Sequence, residues 1–342
     1  MKHWKTSLMA LAAAAVLPQA SQAQQASGDF KERTIRVSHV VPKDHPFQVG
    51  VEKYAEILAQ KSGGKLKMIG FPDGQLGAEL QSISAAQGGI LEIALVSTAA
   101  AASVVKEFGV FDLPFLFTDF KEVDLILNGP IGRRLLERVS EKNLVGLCYF
   151  ETGFRHVTNS RRPIVKAEDL KGLKIRTIQN PVFIDIFNTL GANATPMAFT
   201  EVFTALESKA IDGQETPYNN IHGNKFYEVT KYISNTGHIY GGAVILAGKK
   251  FWDQLLPAEQ KLMQETCNTA RDFERNYQRT EDPKLLAQIK AKGGIYTEIA
   301  PAERARMREM LKPVYDKYTR TLGEDVVRQT LAELEKHRAS VK

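Results

Sequence analysis

Two arginines stand in short segments whose composition could direct both side chains at one anion. Arg155 lies in residues 151–159 and Arg176 in residues 171–177. In each segment a glycine precedes a run with β-branched residues, which predicts adjacent strands. A guanidinium presents a flat fork of donors that fits a carboxylate in bidentate fashion, so two of them could bind one acid. The alternative is that both side chains face solvent, as most arginines do.

The first 23 residues have the pattern of a secretory signal peptide. Lys2 and Lys5 precede a short apolar run over residues 8–17, and small residues lead up to Ala23. The apolar run is too short to form a permanent membrane span. We therefore expect cleavage after Ala23 and release of the protein into the periplasm.

The length and charge of the remaining chain limit what it can be. About 320 residues predict two domains. The formal net charge of +6 becomes +4 without Lys2 and Lys5, and no basic block is interleaved with aromatic residues. We therefore expect no nucleic acid partner. Mild basicity is compatible with a small anionic ligand held in a cleft.

The two cysteines lie in separate apolar elements. Cys148 belongs to the apolar run 144–150, and Cys267 to a long helical stretch. Export would permit a disulfide, but buried free thiols are common, and we expect free thiols here. No Cys/His spacing indicates a metal, and no nucleotide-binding motif indicates a cofactor.

The N-terminal part alternates strand and helix patterns. Strands are predicted over 34–40, 66–69 and 90–96, with helices over 46–61 and 76–87 between them. This βαβαβ order predicts a parallel sheet with helices on both faces.

Ligands of such sheets bind outside the carboxyl ends of the strands. Three polar residues follow a predicted strand or open the next element there: His39, Glu79 and Ser97. We expect their side chains to share one crevice.

A second α/β unit is predicted to begin near Gly153. Further strands are predicted over 144–150, 155–158, 174–178, 232–236 and 243–247, and helices over 119–128, 131–142, 181–190, 199–208, from 257 to about 280, and from 300 to the end. No low-complexity linker separates the units. We therefore expect crossover strands rather than a flexible tether.

Several segments in a fixed order resemble the substrate-binding proteins of TRAP transporters (tripartite ATP-independent periplasmic transporters). The resemblance runs from about Arg33 to the C-terminus. It rests on residues 70–77 (GFPDGQLG), 113–115 (LPF), 153–155 (GFR), 172–176 (GLKIR), 196–202 (PMAFTEV) and 211–217 (IDGQETP).

The resemblance implies a two-domain periplasmic binding protein fold of the α/β class, with crossover strands and a long hinge helix. We place domain I at 29–152 plus 241–280, and domain II at 153–240 plus 281–342. It also implies ligand binding between the domains and delivery to the membrane subunits of the transporter. We expect a monomer.

The resemblance assigns roles to individual residues. Arg176 corresponds to the arginine that holds the substrate carboxylate, and Arg155 to one that supports or shares the contact. Phe199 falls at an aromatic position that packs against the ligand. The remaining first-domain pocket positions are His39, Glu79 and Ser97. Each has a structural alternative: a core histidine or phenylalanine, or a solvated glutamate.

One position departs from the pattern. The family segment usually ends Gln-Glu-Asn-Pro, whereas this chain has Thr216 before Pro217. A single hydroxyl cannot reproduce an amide. Asn219 or Asn220 could compensate, although we expect a helix starting at Pro217 to turn one of them to solvent.

The sequence favours a receptor over an enzyme, because it contains none of the common nucleophile, phosphate-loop or metalloprotease motifs. Glu79 and His39 in one crevice favour ligand hydroxyl groups, so a sugar acid such as an aldonate or uronate is the first expectation. A C4-dicarboxylate is the alternative, followed by aromatic or 2-oxo acids, and a periplasmic hydrolase is a remote one.

Overall fold

The computed structural model describes residues 30–341. The predicted signal peptide and its cleavage site lie outside this range. The strands of the described residues are β1 (Arg33–Ser38), β2 (Leu66–Phe71), β3 (Ile93–Ser97), β4 (Leu144–Asn159), β5 (Lys174–Thr177), β6 (Asn193–Pro196), β7 (Gly213–Thr216), β8 (Tyr232–Gly248) and β9 (Ile295–Glu298). All of them belong to one sheet.

Helices cover both faces of this sheet. They are α1 (Pro46–Lys61), α2 (Glu79–Gly88), α3 (Thr98–Ala101), α4 (Phe120–Leu127), α5 (Pro130–Arg138), α6 (Pro181–Thr189), α7 (Val202–Glu207), α8 (Tyr218–Gly223), α9 (Lys249–Trp252), α10 (Pro257–Ala291), α11 (Pro301–Met310), α12 (Lys312–Leu322) and α13 (Glu324–Ser340). Among residues 30–341, no helix combines the length and apolarity needed to cross a membrane.

The strand order is β2-β1-β3-β8-β4-β7-β5-β6, with β9 paired to β8. β1 pairs in parallel with β2 and β3, as the βαβαβ pattern predicted. At the other end β5 pairs in parallel with β6 and β7. Between these groups β8 and β4 lie antiparallel to each other, β8 is antiparallel to β3, and β4 is antiparallel to β7, whereas β9 is parallel to β8. The sheet is therefore mixed.

Two long strands join the halves of the sheet. We predicted strands over 144–150 and 155–158, which are one 16-residue strand, β4. Likewise 232–236 and 243–247 are parts of the 17-residue strand β8. The expectation of crossover strands is thus confirmed, whereas the expected breaks between them are wrong.

Glycines allow the two long strands to cross. Gly153 pairs with Gly241 where the register between β4 and β8 shifts. Gly153 has a φ of +89°, and a Cβ on Gly241 would lie 2.2 Å from Thr152 Oγ1. The sequence-level breaks at these glycines therefore mark a strand crossing and not a strand end.

The helices α1 and α10 pack against each other on one face of the sheet. The α1 bounds match the prediction, and His45 caps its start, because His45 Nδ1 accepts from the Phe47 backbone N–H at 3.1 Å. α10 runs 35 residues, beyond the predicted end near Thr280 and through Pro283. A proline normally ends a helix pattern, which explains the short prediction.

Three short strands escaped the sequence patterns: β6, β7 and β9. Each has four residues. β7 has the polar sequence Gly-Gln-Glu-Thr but is fully buried. The side chains of Glu215 and Thr216 are buried with polar partners, Arg155 and Asn220, which alternation of hydrophobic residues cannot reveal.

The cysteines correct a prediction. Cys148 on β4 and Cys267 on α10 form a disulfide, with Cα atoms 5.9 Å apart. That separation lies within the range that disulfides require. Free thiols were expected because nothing in the sequence shows that α10 packs on β4.

We predict that the double substitution C148A/C267A lowers the free energy of unfolding by about 2–4 kcal/mol. The bridge spans 119 residues, so its loss frees a long loop in the unfolded chain. Urea denaturation would measure the change, and wild-type protein treated with dithiothreitol is the control. Equal midpoints for the variant and the oxidised wild type would contradict the prediction.

Candidate functional site

A cleft lies at the junction of the two halves of the sheet. It is lined by Val40, Val41, Phe47, Glu79, Ser97, Thr152, Arg155, Arg176, Ile178, Phe199 and Asn220. Its volume is about 40 Å³. The structure thus brings together five of the eight predicted site residues: Arg155, Arg176, Phe199, Glu79 and Ser97.

Arg176 is a buried cation with free donor capacity. It lies on β5 and is 2% exposed. Its Nε and Nη2 donate to the Met197 carbonyl at 3.1 and 2.8 Å, while Nη1 has no partner within the described residues. Burial lowers the pKa of Arg176 from 12.5 to about 10. No carboxylate forms an ion pair with it among residues 30–341.

Arg155 lies on β4 and already has a counter-ion. Its Nε and Nη2 donate to the two carboxylate oxygens of Glu215 at 2.5 and 2.8 Å, and Nη2 also donates to the Glu215 carbonyl. Burial alone would raise the pKa of Glu215, but the charge of Arg155 and hydrogen bonds from Arg155 and His238 lower it. The pair is therefore ionised. Because Glu215 neutralises the charge of Arg155, Arg155 attracts a ligand anion less strongly than Arg176 does.

Phe199 packs beside the unpaired arginine. It begins the short 3-10 helix Phe199–Glu201, and its ring centroid lies 5.7 Å from Arg176 Cζ. The Phe199 ring also contacts Phe226 edge-on at 5.9 Å. Phe199 thus lines the cleft and packs against two core clusters, and its contact with a ligand stays a prediction.

Glu79 and Ser97 face the cleft from the first half of the sheet. Glu79 is the first residue of α2, and its Oε1 accepts from the Ser97 backbone N–H at 2.5 Å. Ser97 Oγ caps α3 by accepting from the Ala100 backbone N–H. Both side chains are only half-buried.

The segment around Thr216 differs from the expectation. Asn219 and Asn220 are both buried, at 3% and 5% exposure, so the prediction that one turns to solvent was wrong. The reason is that α8 packs against α10. Thr216 Oγ1 accepts from Asn220 Nδ2 at 2.9 Å, and Asn220 Oδ1 has no partner within residues 30–341.

Asn219 does not line the cleft. Its Nδ2 donates to the Thr152 carbonyl at 3.0 Å and to Gln278 Oε1 at 2.7 Å. These bonds tie α8 to the strand crossing and to α10. Thr216 likewise lies behind the wall and reaches the cleft only through Asn220.

His39 is not among the lining residues either. It is 1% exposed, and its Nε2 bonds to Gln48 Oε1 at 2.9 Å. Burial lowers its pKa, so the ring is neutral. The structure therefore favours the alternative of a core histidine. β1 ends at Ser38, and the wall of the cleft is formed by Val40 and Val41 in place of His39.

Sequence reasoning missed several lining residues. Asn220 was named with Asn219 as a residue that could compensate for Thr216, and of these two only Asn220 lines the cleft. The apolar Val40, Val41 and Ile178 and the β4 residue Thr152 carried no signal. Within residues 30–341, no group of three His, Cys, Asp or Glu is arranged to hold a metal ion.

Comparisons with known proteins match most of the chain. The family model described as bacterial extracellular solute-binding protein, family 7, matches residues 37–321. A C4-dicarboxylate-binding protein, DctB of Bacillus subtilis, is 32% identical over 297 residues, which cover 86% of this chain and 85% of the relative.

Two solved structures are similar along the chain. The sugar acid binding protein DctPAm of Advenella mimigardefordensis, in complex with galactonate, has a TM-score of 0.88 and 40% identity and covers 90% of this chain and 99% of its own. A TRAP periplasmic solute-binding protein of Polaromonas sp. JS666, bound to D-erythronate, has a TM-score of 0.85 and 34% identity. The match covers 88% of this chain and 99% of that protein. The chain therefore belongs to the bacterial extracellular solute-binding proteins of family 7, the family of the TRAP transporter receptors.

Proposed function

We propose that this receptor binds a sugar acid, such as an aldonate or uronate, and delivers it to the membrane subunits of a TRAP transporter. The observation that carries the proposal is Arg176, a buried guanidinium that faces the cleft without an anionic partner. Burying a cation without a counter-ion is costly, and a ligand carboxylate would remove that cost.

The free edge of Arg176 suits a carboxylate. The Nε–Nη2 edge is occupied by the Met197 carbonyl, which leaves the edge formed by Nη1 and Nη2. Two parallel N–H···O bonds from that edge would hold both oxygens of a carboxylate. Phe199 restricts the guanidinium from one side, so its orientation is fixed before the ligand arrives. Arg155 is left to add a single bond through Nη1.

The other polar groups of the cleft suit hydroxyls. Asn220 Oδ1 is an unpaired acceptor, and the carboxylate of Glu79 retains acceptor capacity beyond its bond to the Ser97 backbone. Acceptors can bind a ligand O–H but not a second ionised carboxylate. A polyhydroxy monocarboxylate therefore satisfies both ends of the cleft.

The charge distribution argues against the dicarboxylate alternative. Among the described lining residues the cations are Arg155 and Arg176, and Glu215 already neutralises Arg155. The second carboxylate of a C4-dicarboxylate would then approach Glu79. The galactonate and D-erythronate complexes of similar proteins support the sugar acid, while the Bacillus subtilis relative keeps the dicarboxylate as second candidate.

Binding requires a hinge motion. A cleft of about 40 Å³ has room for about three water molecules, so a six-carbon acid enters only when the halves separate. The predicted domain boundaries fall at the crossing of β4 and β8 near Gly153 and Gly241, which suits a hinge. The ligand would stabilise the closed form through contacts from both halves.

Thermal unfolding with D-galactonate and with succinate tests the proposal. A ligand at a hundredfold excess over its dissociation constant stabilises the native state by about 2.7 kcal/mol. We expect a rise in melting temperature with galactonate and none with succinate at the same concentration. A rise with succinate alone would replace the sugar acid with the dicarboxylate.

We predict that N220A weakens galactonate binding by about 0.5–1.5 kcal/mol, the usual value of one hydrogen bond. T216V should weaken it less, because it removes only the hydroxyl that positions the Asn220 amide. T216S keeps the hydroxyl and is the matched control. Titration calorimetry would measure all three, and equal affinities for N220A and the wild type would contradict a role for this amide.

A further inference from the structure

A second, larger cavity lies on the other side of the sheet from the carboxylate cleft. Its volume is about 450 Å³, within the range of small-molecule sites. Its lining is Phe115, Phe117, Thr118, Phe120, Phe154, His156, Asn235, Gly237, Asp282, Arg304, Ala305 and Arg308. None of these residues lines the cleft.

Strand alternation explains the separation of the two sites. Phe154 and His156 on β4 line the second cavity, while Arg155 between them lines the cleft. Successive side chains of a regular strand point to opposite faces, which separates Phe154 from Arg155, while His156 lies at a shift of the β4–β8 register. The cavity thus lies against the same strand crossing but opens on the opposite face, toward α11.

One wall of the cavity is aromatic. Phe120 and Phe154 have ring centroids 5.3 Å apart, and Tyr240 contacts both Phe154 and Phe117 from behind at 5.8 and 5.7 Å. Phe120 and Phe154 are partly exposed toward the cavity. An aromatic ring of a ligand would extend this edge-to-face arrangement.

The opposite wall carries cationic and donor groups. Arg304 Nη2 donates to the Asn235 carbonyl and to Glu298, but its buried Nε has no partner within the described residues. Arg308 forms no ion pair within residues 30–341. His156 Nδ1 accepts from the Gly237 backbone N–H, so the neutral ring carries its proton on Nε2, which bonds to none of the described residues.

Two acidic groups limit the positive charge. Glu298 pairs with Arg304 at 2.8 Å, which leaves Arg308 as the uncompensated cation. Burial raises the pKa of Asp282 to about 7, so this carboxyl group is partly protonated at neutral pH and opposes an anion less than an ionised aspartate would.

We propose that this cavity is a second ligand site, which binds an aromatic monocarboxylate with its ring against Phe120 and Phe154 and its carboxylate toward Arg304 and Arg308. A phenylalkanoate fits this description. The proposal does not depend on the ligand of the main cleft, because the two sites share no residue.

Titration calorimetry with 3-phenylpropionate tests the proposal on the full mature chain carrying R176A, so that the main cleft does not contribute. We expect binding to this protein, and at least tenfold weaker binding of 2-phenylethanol, which lacks the carboxylate. Adding R304A/R308A should weaken the binding of 3-phenylpropionate at least tenfold.

Arg304 also contacts Asn235, so the double substitution could disturb folding. A305W avoids this, because Ala305 is exposed on α11 and a large side chain there would fill the cavity. A332W is the matched control, because Ala332 is also an exposed helical alanine, on α13, and does not line the cavity. We expect at least tenfold weaker binding for A305W and less than twofold change for A332W. Absence of binding to the R176A protein, or equal binding by A305W and A332W, would overturn the proposal.

Discussion

Replacing Arg176 with alanine is expected to weaken galactonate binding by about 2–5 kcal/mol, the usual loss when one side of a buried hydrogen-bonded charge pair is truncated. At 1.4 kcal/mol per tenfold this is roughly a 30- to 4,000-fold change in dissociation constant. The loss is large because no other cation can take over: Arg155 is already engaged by Glu215. Titration calorimetry would measure it.

R176K separates charge from geometry. Lysine keeps the positive charge but cannot bond the Met197 carbonyl and a bidentate carboxylate at once. We expect R176K to lose at least tenfold in affinity. R134A is a control, because Arg134 lies away from the cleft on α5. Wild-type affinity in R176K would show that the fork of the guanidinium is not what holds the acid.

The same residue should have the opposite effect on the unliganded fold. Burial lowers the pKa of Arg176 from 12.5 to about 10, which corresponds to about 3 kcal/mol at 1.36 kcal/mol per unit. Because the folded value lies below the unfolded one, this cost is present at every pH below about 10. R176M, which keeps most of the side-chain volume, should therefore melt at a higher temperature than the wild type without ligand while failing to bind. A lower melting temperature for R176M would contradict an uncompensated buried charge.

The fold could be predicted where hydrophobic periodicity and capping agree. The bounds of α1 follow from Pro46 at its start and the glycines after Ser62. Periodicity failed at β7, where Glu215 is buried in its ion pair with Arg155, and at the glycines that interrupt the hydrophobic pattern of the long strands. A glycine in a strand can mean a turn or a close crossing, and only the packing of β4 on β8 decides which.

The candidate site could be predicted only in part, because it too depends on contacts between segments that are distant in the sequence. Arg155 and Arg176 both line one cleft, but the prediction that they lie on adjacent strands was wrong, because β7 lies between β4 and β5. Their unequal roles depend on Glu215, whose side chain reaches Arg155 across the β4–β7 pairing, and no local pattern encodes that contact. His39 and Asn219 do not line the cleft, whereas their chain neighbours Val40 and Asn220 do, so a shift of one residue in a loop or helix start exchanges core and cleft positions.

Breaking the Arg155–Glu215 pair should be the largest single change in stability. We predict that E215Q lowers the free energy of unfolding by about 3–5 kcal/mol, because it leaves the 5% exposed guanidinium of Arg155 without a counter-ion. Urea unfolding at pH 7 measures the change. E207Q is the matched control, since Glu207 is exposed at the end of α7. A loss below 1 kcal/mol would mean that solvent reaches Arg155.

The pH dependence gives a second, independent readout of the same pair. Glu215 has a folded pKa below its ordinary value of 4.5, so its ionised form stabilises the fold above that pH, and the contribution disappears as the pH falls through the folded pKa. The difference in stability between wild type and E215Q should therefore shrink below pH 4.5. Removing both charges in R155M/E215M should cost less than the sum of the single changes, because no unpaired charge remains buried. Additive losses would indicate that the two residues stabilise the fold separately, and that Arg155 is as free as Arg176 to bind the ligand.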